Sequence, residues 1–152
     1  MIDYKQLISD IMSIFNKKKE SAPVPLPYTP SVTTDRIKIL LTPFTTNLWL
    51  SDGVFKYMTK ESLAQFLASD PINSRIYKAE SHDCDDFSYE LMGHVSGWNS
   101  DNTFGIVWGQ NASGVGHAWN FFVDENEKVW FVEPQNDSIF EPSTEKIWIM
   151  IV

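Results

Sequence analysis

Apolar residues are spaced differently in the two halves of the chain. In the first half, apolar residues three or four positions apart predict three helices, over residues 2–15, 59–69 and 84–95. Thr59 and Asp83 stand at the predicted starts of the last two, as N-cap residues do. A compact apolar run at 35–42 predicts a short strand. The second half predicts four more strands, over 103–109, 117–123, 128–134 and 146–152. Helices followed by antiparallel strands predict an α+β fold.

The pattern also divides the chain into three segments. Residues 1–20 hold the first amphipathic helix, which packs on its own domain or docks on a membrane or a partner. Residues 21–34 form a linker or surface arm, because four prolines stand between positions 21 and 30. Residues 35–152 are then expected to form one domain.

Composition and charge exclude several classes of protein. The 152 residues are 43% hydrophobic, which suits one domain with a real core. The net charge is −8, and Glu20 directly follows the only basic run, Lys17–Lys19, so nucleic acid is not expected as a partner. A single cysteine permits no disulfide within the chain. With no secretion signal and no apolar run of transmembrane length, we expect a cytoplasmic or virion-associated protein.

The segment around the single cysteine carries the first candidate chemistry. Cys84 stands at a predicted helix start, where unpaired N–H groups favour a thiolate, although a lone cysteine is more often a buried apolar residue. Three carboxylates surround it, from Asp83, Asp85 and Asp86, and negative charge raises the pKa of a thiol. A reactive thiolate here therefore needs a positive partner, which is an imidazolium, a divalent cation or both.

Three histidines are candidates for a general base beside Cys84. His94 lies about 15 Å along the same helix and is too distant. His82 is not excluded by distance, while His117 opens a strand after a glycine-rich loop and is the preferred base. The alternative is that His117 is only a half-buried strand residue bonded to backbone.

Strand parity indicates which residue would orient His117. If residues 125–127 form a three-residue hairpin loop, paired residue numbers in the two strands sum to 252. His117 then lies opposite Gln135 and diagonal to Glu133, so either can orient the imidazole. Asn136 would face away or lie beyond the strand.

Three short motifs support a resemblance to a known family. Asp-Cys-Asp-Asp-Phe at 83–87, Gly-His-Ala at 116–118 and Glu-Pro-Gln at 133–135 resemble the papain-like C-terminal domain of Marasmius-type fungal agglutinins and of related phage and bacterial proteins. They are more distantly similar to bacterial transglutaminase-like cysteine proteinases. The resemblance covers roughly residues 75–140, and the first 50 residues match nothing known to us.

The resemblance implies a fold and a site. The fold is α+β and papain-like or transglutaminase-like, with the nucleophile at a helix N-terminus packed on an antiparallel sheet, so residues 35–152 become a catalytic domain. The implied triad is Cys84, His117 and Glu133, with Gln135 and Asn136 as further site residues. Calcium, or another divalent cation in its place, is implied at Asp83 and Asp85, with Asp86 as a further ligand.

Two features of this sequence depart from the family pattern. The agglutinins carry a sugar-binding trefoil ahead of this domain, and the sequence shows none, so carbohydrate targeting is not carried over. A papain-like oxyanion glutamine is also missing, since the nearest upstream glutamine is Gln65.

These inferences predict a calcium-dependent cysteine peptidase that cleaves peptide or protein substrates through an acyl-thioenzyme. An amidase or transglutaminase-type acyl transferase would use the same triad. The main alternative is a non-enzymatic, calcium-dependent binding module with aromatic contact surfaces. A zinc hydrolase using His82, Asp83 and His117 is a further alternative, but no His-x-x-x-His or paired-cysteine spacing supports it.

Overall fold

A computed structural model describes residues 30–143 and 145–152. The helix predicted within residues 1–20 and most of the proline-rich segment 21–34 lie outside the described residues. Within the described part, no helix has the length and apolar character needed to cross a membrane.

Strands and helices alternate along the first half of the described chain. The first elements are β1 (Ser31–Thr33), α1 (Thr34–Leu41), β2 (Leu48–Trp49) and β3 (Val54–Lys56). They are followed by α2 (Lys60–Ser69), a short 3₁₀ helix (Ile72–Ser74) and α3 (Cys84–Trp98). The last elements are strands, namely β4 (Gly105–Gln110), β5 (Gly116–Val123), β6 (Val129–Glu133), β7 (Ser138–Phe140) and β8 (Lys146–Ile151).

One six-stranded sheet organises these elements, in the order β2-β8-β4-β5-β6-β7. All neighbouring pairs are antiparallel except β2 and β8, which run parallel. A separate two-stranded sheet joins β1 to β3. The β5–β6 hairpin closes where the Asp124 N–H donates to the Lys128 carbonyl at 2.9 Å, as the parity argument required.

The sheet has an apolar core on each face because successive strand residues point to opposite sides. Phe121 of β5 belongs to the core that includes Ile37 and Leu41 of α1. Its neighbour Phe122 belongs to the other core, with Leu67 of α2 and Leu91 of α3. The second core therefore holds α3, and the cysteine at its start, against the sheet.

Several predicted elements are confirmed. The helices expected at 59–69 and 84–95 form α2 and α3, and the four strands expected after residue 103 form β4, β5, β6 and β8. Thr59 caps α2 by accepting a hydrogen bond from the Ser62 N–H at 3.2 Å.

The strand predicted at 35–42 is wrong, because these residues form α1. Thr33 caps this helix by accepting from the Arg36 N–H at 3.4 Å, and Ile37 and Leu41 are fully buried at the i, i+4 spacing of a helix. A compact apolar run is ambiguous between helix and strand until its neighbours are known.

The predicted fold class, α+β of the papain-like or transglutaminase-like kind, is also wrong. Its α+β part rested on an order of helices followed by strands, but β1, β2 and β3 precede α2 and α3. Its papain-like part rested on the family resemblance alone. In addition, β2 forms one edge of the sheet and runs parallel to the last strand, β8. The prediction contained no such parallel pair. The fold is organised around this sheet, and its relatives are described with the site below.

Candidate functional site

The start of α3 is fixed by carboxylates rather than by hydroxyl groups. The Asp86 carboxylate accepts a hydrogen bond from the backbone N–H of Asp83 at 3.1 Å. The Asp83 carboxylate in turn accepts from the backbone N–H of Glu80 at 3.2 Å. Acidic groups are favourable at this end of a helix because unpaired N–H groups give it partial positive charge.

Two of the acids form a close group with the cysteine. One ligand atom each from Asp83, Cys84 and Asp85 lie within 4.8 Å of one another. The carboxyl groups of Asp83 and Asp85 share a hydrogen bond, which lowers the pKa of Asp83 and raises that of Asp85. Asp86, the third predicted metal ligand, lies outside this group and caps the helix instead.

The Cys84 thiol is half-buried and favours its protonated form. Burial raises its pKa above the ordinary value, and the charges of Asp83 and Asp85 raise it further. A hydrogen bond with the backbone of Ala118 on β5 opposes these effects without overcoming them. The balance of these effects favours the thiol over the thiolate.

His117 and Glu133 form a second, separate pair. His117 Nε2 lies 2.7 Å from Glu133 Oε2, and both side chains are about four-fifths buried, with 19% and 17% of each exposed. The predicted register of β5 and β6 is confirmed, since Phe121 pairs with Phe131 and Asn120 with Val132. The two residue numbers of each pair sum to 252. The His117 ring stands edge-on to Trp119, with centroids 4.7 Å apart.

The remaining predicted site residues lie in the turn after β6. The Gln135 backbone N–H donates to Glu133 Oε1 at 3.3 Å, so Gln135 holds Glu133 through its backbone. Asn136 is exposed, and its side-chain oxygen accepts from the Ser138 N–H at 3.0 Å. Among the described residues, no hydrogen bond joins Cys84 to His117, so the structure does not bring the three triad candidates into one bonded chain.

Asn120 supports this region and was missed by the sequence analysis. Its buried side-chain amide donates to the Ser88 carbonyl of α3 at 2.9 Å and to the Gly105 carbonyl of β4 at 3.1 Å. This single side chain ties the helix that carries Cys84 to two strands. The available signal was an asparagine in the apolar run His-Ala-Trp-Asn-Phe-Phe-Val of β5.

Partly exposed aromatic rings lie on α3 and on two strands of the sheet, β4 and β8. Tyr89 lies four residues after Asp85 on α3, is 54% exposed, and contacts Trp108 of β4 edge-on at 5.5 Å between centroids. Trp108 pairs with Ala118, the residue whose backbone bonds Cys84. Trp148 of β8 is 46% exposed, and its ring would lie 3.4 Å from a Cβ built on Gly116. We name Tyr89, Trp108 and Trp148 the aromatic surface.

The family model for the agglutinin C-terminal domain matches residues 55–139, which is more than half of the chain. The chain belongs to the agglutinin C-terminal family. The match includes α3 and β4 to β6, and so contains Cys84, His117 and Glu133. A comparison with curated proteins gave no match.

Solved structures with the same fold belong to similar proteins. The PSL1a–E64 complex shares 25% identity with this chain, at a TM-score of 0.71. The Polyporus squamosus lectin, bound to the human-type influenza-binding epitope Neu5Acα2-6Galβ1-4GlcNAc, shares 26% identity at a TM-score of 0.67. Both matches cover 80% of this chain, and the chain spans about half the length of either protein, 51% and 49%.

These comparisons correct the prediction of a papain-like cysteine peptidase. The matching family is one of agglutinins and a matching solved structure is a lectin, and lectins are binding proteins rather than enzymes. The predicted enzyme class and the terms hydrolase and thiol protease are therefore wrong, and a peptide substrate is not supported.

Proposed function

We propose that the chain is a non-enzymatic module that binds carbohydrate with the help of calcium. The aromatic surface and the carboxylates of Asp83 and Asp85 carry this proposal, because carboxylates accept hydrogen bonds from sugar hydroxyls. Exposed aromatic rings also bury the apolar C–H faces of sugar rings. Membership in an agglutinin family and likeness to a lectin that binds a trisaccharide support the same class of ligand.

The residues at the start of α3 fit a calcium ion by their donor chemistry. Calcium prefers six to eight oxygen ligands, and Asp83 and Asp85 supply carboxylate oxygens from one small group. A dication there would neutralise the charges of the two neighbouring carboxylates. Glu80, backbone carbonyls, water and sugar hydroxyls are the further oxygen donors. The sulfur of Cys84 is a soft ligand and is not expected to coordinate calcium.

The aromatic surface would supply the apolar part of the binding energy. Tyr89 and Asp85 lie on one face of α3, so a sugar that contacts the carboxylate also reaches the ring. The Trp148 ring lies over Gly116, at the distance of an ordinary van der Waals contact with a Cβ at that position. In this arrangement Asp83 and Asp85 orient hydroxyl groups, while Tyr89, Trp108 and Trp148 exclude water from the sugar face.

A glycan array followed by calorimetry, with calcium and with EGTA, tests this proposal. We expect glycan binding in calcium that falls at least about tenfold, or about 1.4 kcal/mol, in Trp148→Ala and in Asp85→Asn. Only Asp85→Asn should also weaken the binding of calcium itself. Trp49→Ala is the matched control, because Trp49 is 65% exposed but lies on β2, at the other end of β8.

Two results would overturn the proposal. One is a wild-type chain that binds no glycan on the array with calcium present. The other is hydrolysis of a peptide or amide that the wild type performs and Cys84→Ala does not, because this would make the site enzymatic.

A further inference from the structure

A groove lies on the face of the sheet opposite α3, beside the core that α1 covers. Its volume is about 360 Å³, and its apolar lining comes from Leu40, Pro43, Phe44, Val129 and Pro142. Leu40 and Phe44 are only partly buried against that core. The Phe44 ring is positioned by the buried ring of Phe131, with centroids 6.3 Å apart. The groove therefore presents a fixed aromatic ring among aliphatic and proline side chains.

The three charged residues that line this groove are already paired within the protein. Lys128 forms an ion pair with Glu141. Glu127 accepts hydrogen bonds at 2.9 Å from Arg36 Nε and from the hydroxyl group of Tyr57. A charged ligand would have to displace one of these partners or lose its own hydration without a counter-charge. The groove therefore favours an uncharged, apolar occupant.

The described part of the chain begins beside this groove. The Tyr57 backbone N–H donates to the Pro30 carbonyl at 3.2 Å, which extends the pairing of β1 with β3 by one residue. The hydroxyl group of the same tyrosine donates to Glu127 Oε1, on the lining of the groove, at 2.9 Å. One tyrosine side chain thus spans the distance from Pro30 to the groove, so the segment that precedes Pro30 is attached next to it.

The sequence of that segment suits the groove. Residues 21–29, Ser-Ala-Pro-Val-Pro-Leu-Pro-Tyr-Thr, contain three prolines and no charged residue. Proline-rich segments favour the extended polyproline II conformation, which spans about 3.1 Å per residue, so nine residues reach about 28 Å. Aromatic-lined grooves bind such segments because proline has little conformational entropy to lose. Residues 1–20 are a poorer match, since seven of them are charged.

We propose that residues 22–29 dock in this groove as an apolar arm. The side chain of Tyr28 packs against Leu40 and Val129, and the prolines cover the rest of the apolar lining. Because the groove lies on the face of the sheet opposite α3, the docked arm leaves the carboxylates at the start of α3 open. The arm also holds residues 1–20 on the groove side of the molecule. This inference goes beyond the proposed function and does not depend on it.

Methyl NMR of the full chain tests the docking. An aromatic ring shifts the signals of methyl groups that it contacts, so Tyr28→Leu should move the methyl signals of Leu40 and Val129, here called the groove signals. Tyr4→Leu is the matched control, because it removes the same ring from residues 1–20 and should leave the groove signals in place.

Three results of this experiment would overturn the proposal. Two are groove signals that stay unchanged in Tyr28→Leu, and groove signals that change equally in Tyr4→Leu. The third is a response confined to Leu48 and Ile151, because these residues line another groove, next to the opposite end of β1.

A second variant separates recognition of the segment from its covalent attachment next to the groove. Serine replaces Pro23, Pro25 and Pro27 in the full chain, and the groove signals should leave their wild-type positions. An added synthetic peptide of residues 21–29 should return them as its concentration rises. The same peptide with serine in place of its prolines should bind at least about tenfold more weakly, because it is less preorganised. Wild-type groove signals in the serine variant, or equal affinity of the two peptides, would contradict the proposal. Urea denaturation checks that the variant is folded.

Discussion

Asn120 Nδ2 donates a hydrogen bond to the carbonyl oxygen of Ser88, across the interface between β5 and α3, at 2.9 Å. Ser88 in turn donates its hydroxyl hydrogen to the Cys84 carbonyl at 2.8 Å. The position of the first turn of α3, and so of Asp83 and Asp85, is thus connected to the sheet through one buried amide.

Asn120→Ala is expected to lower the free energy of unfolding by about 1–3 kcal/mol, because two buried carbonyl oxygens lose a donor. Urea denaturation measures this change. Asn126→Ala is the matched control, since Asn126 is exposed in the β5–β6 turn and should change stability by no more than about 0.5 kcal/mol. Equal changes in the two variants would show that the Asn120 bridge contributes nothing.

Much of the local structure could be predicted from the sequence because it depends on short-range patterns. Helix α2 followed from Thr59 and the spacing of Leu63, Phe66 and Leu67. The β5–β6 register followed from one hairpin loop, and with it the approach of His117 to Glu133. Side chains alternate between the two faces of a strand, so the length of the hairpin loop determines which residues of β5 and β6 share a face of the sheet.

Long-range relations were not predictable in the same way. The pairing of β2 with β8 joins residues about a hundred positions apart, and nothing in either segment specifies its partner. The exposed position of Trp148 was not predictable either, because it depends on a bulge in β8. The register shifts between Trp108 and Gly109, which leaves Trp148 opposite no residue and half-exposed. The distance between Cys84 and His117 likewise depends on how α3 packs on the sheet, which no motif specifies.

Gly109→Ala is expected to destabilise the sheet at this bulge. A Cβ at Gly109 would lie 2.4 Å from the Lys146 carbonyl oxygen, so β4 and β8 would have to separate, at a cost of about 1–3 kcal/mol. Gly97→Ala should act in the opposite direction, since nothing lies within 4 Å of that position and alanine favours the helix by about 0.5–1 kcal/mol. A urea midpoint below that of the wild type for Gly109→Ala, and above it for Gly97→Ala, would confirm the prediction. Two stabilised variants would contradict it.

Acid should weaken the contact between α1 and the β5–β6 turn. Hydrogen bonds from Arg36 and then from Tyr57 lower the pKa of Glu127 to about 2. Because this pKa lies below the ordinary value of 4.5, the contact stabilises the fold above about pH 4.5 and is lost as pH falls towards 2. The difference in urea midpoint between the wild type and Glu127→Gln should therefore be largest near pH 7 and vanish near pH 2. Glu125→Gln, in the same turn but exposed, should show no such dependence.

Alkylation of Cys84 distinguishes a binding module from a thiol enzyme most directly. Burial and the charges of Asp83 and Asp85 raise the pKa of the thiol above its ordinary value of 9.0, so the thiolate fraction at pH 7 is small. Reaction with iodoacetamide should therefore be slow at neutral pH. Its rate should rise about tenfold per pH unit up to a midpoint above 9, as expected for a single thiol.

Added calcium and two variants assign the cause of that profile. Calcium should speed the reaction at fixed pH by neutralising the carboxylates, and Asp85→Asn should react faster than the wild type without calcium. His117→Ala should leave the profile unchanged, because no hydrogen bond joins His117 to Cys84 among the described residues and His117 instead bonds Glu133. A wild-type rate that is already high and flat between pH 6 and 8, and that collapses in His117→Ala, would indicate a thiolate–imidazolium pair. Such a result would contradict the non-enzymatic interpretation, because the charges of Asp83 and Asp85 disfavour a thiolate, so a thiolate at neutral pH would need the imidazolium as its counter-charge.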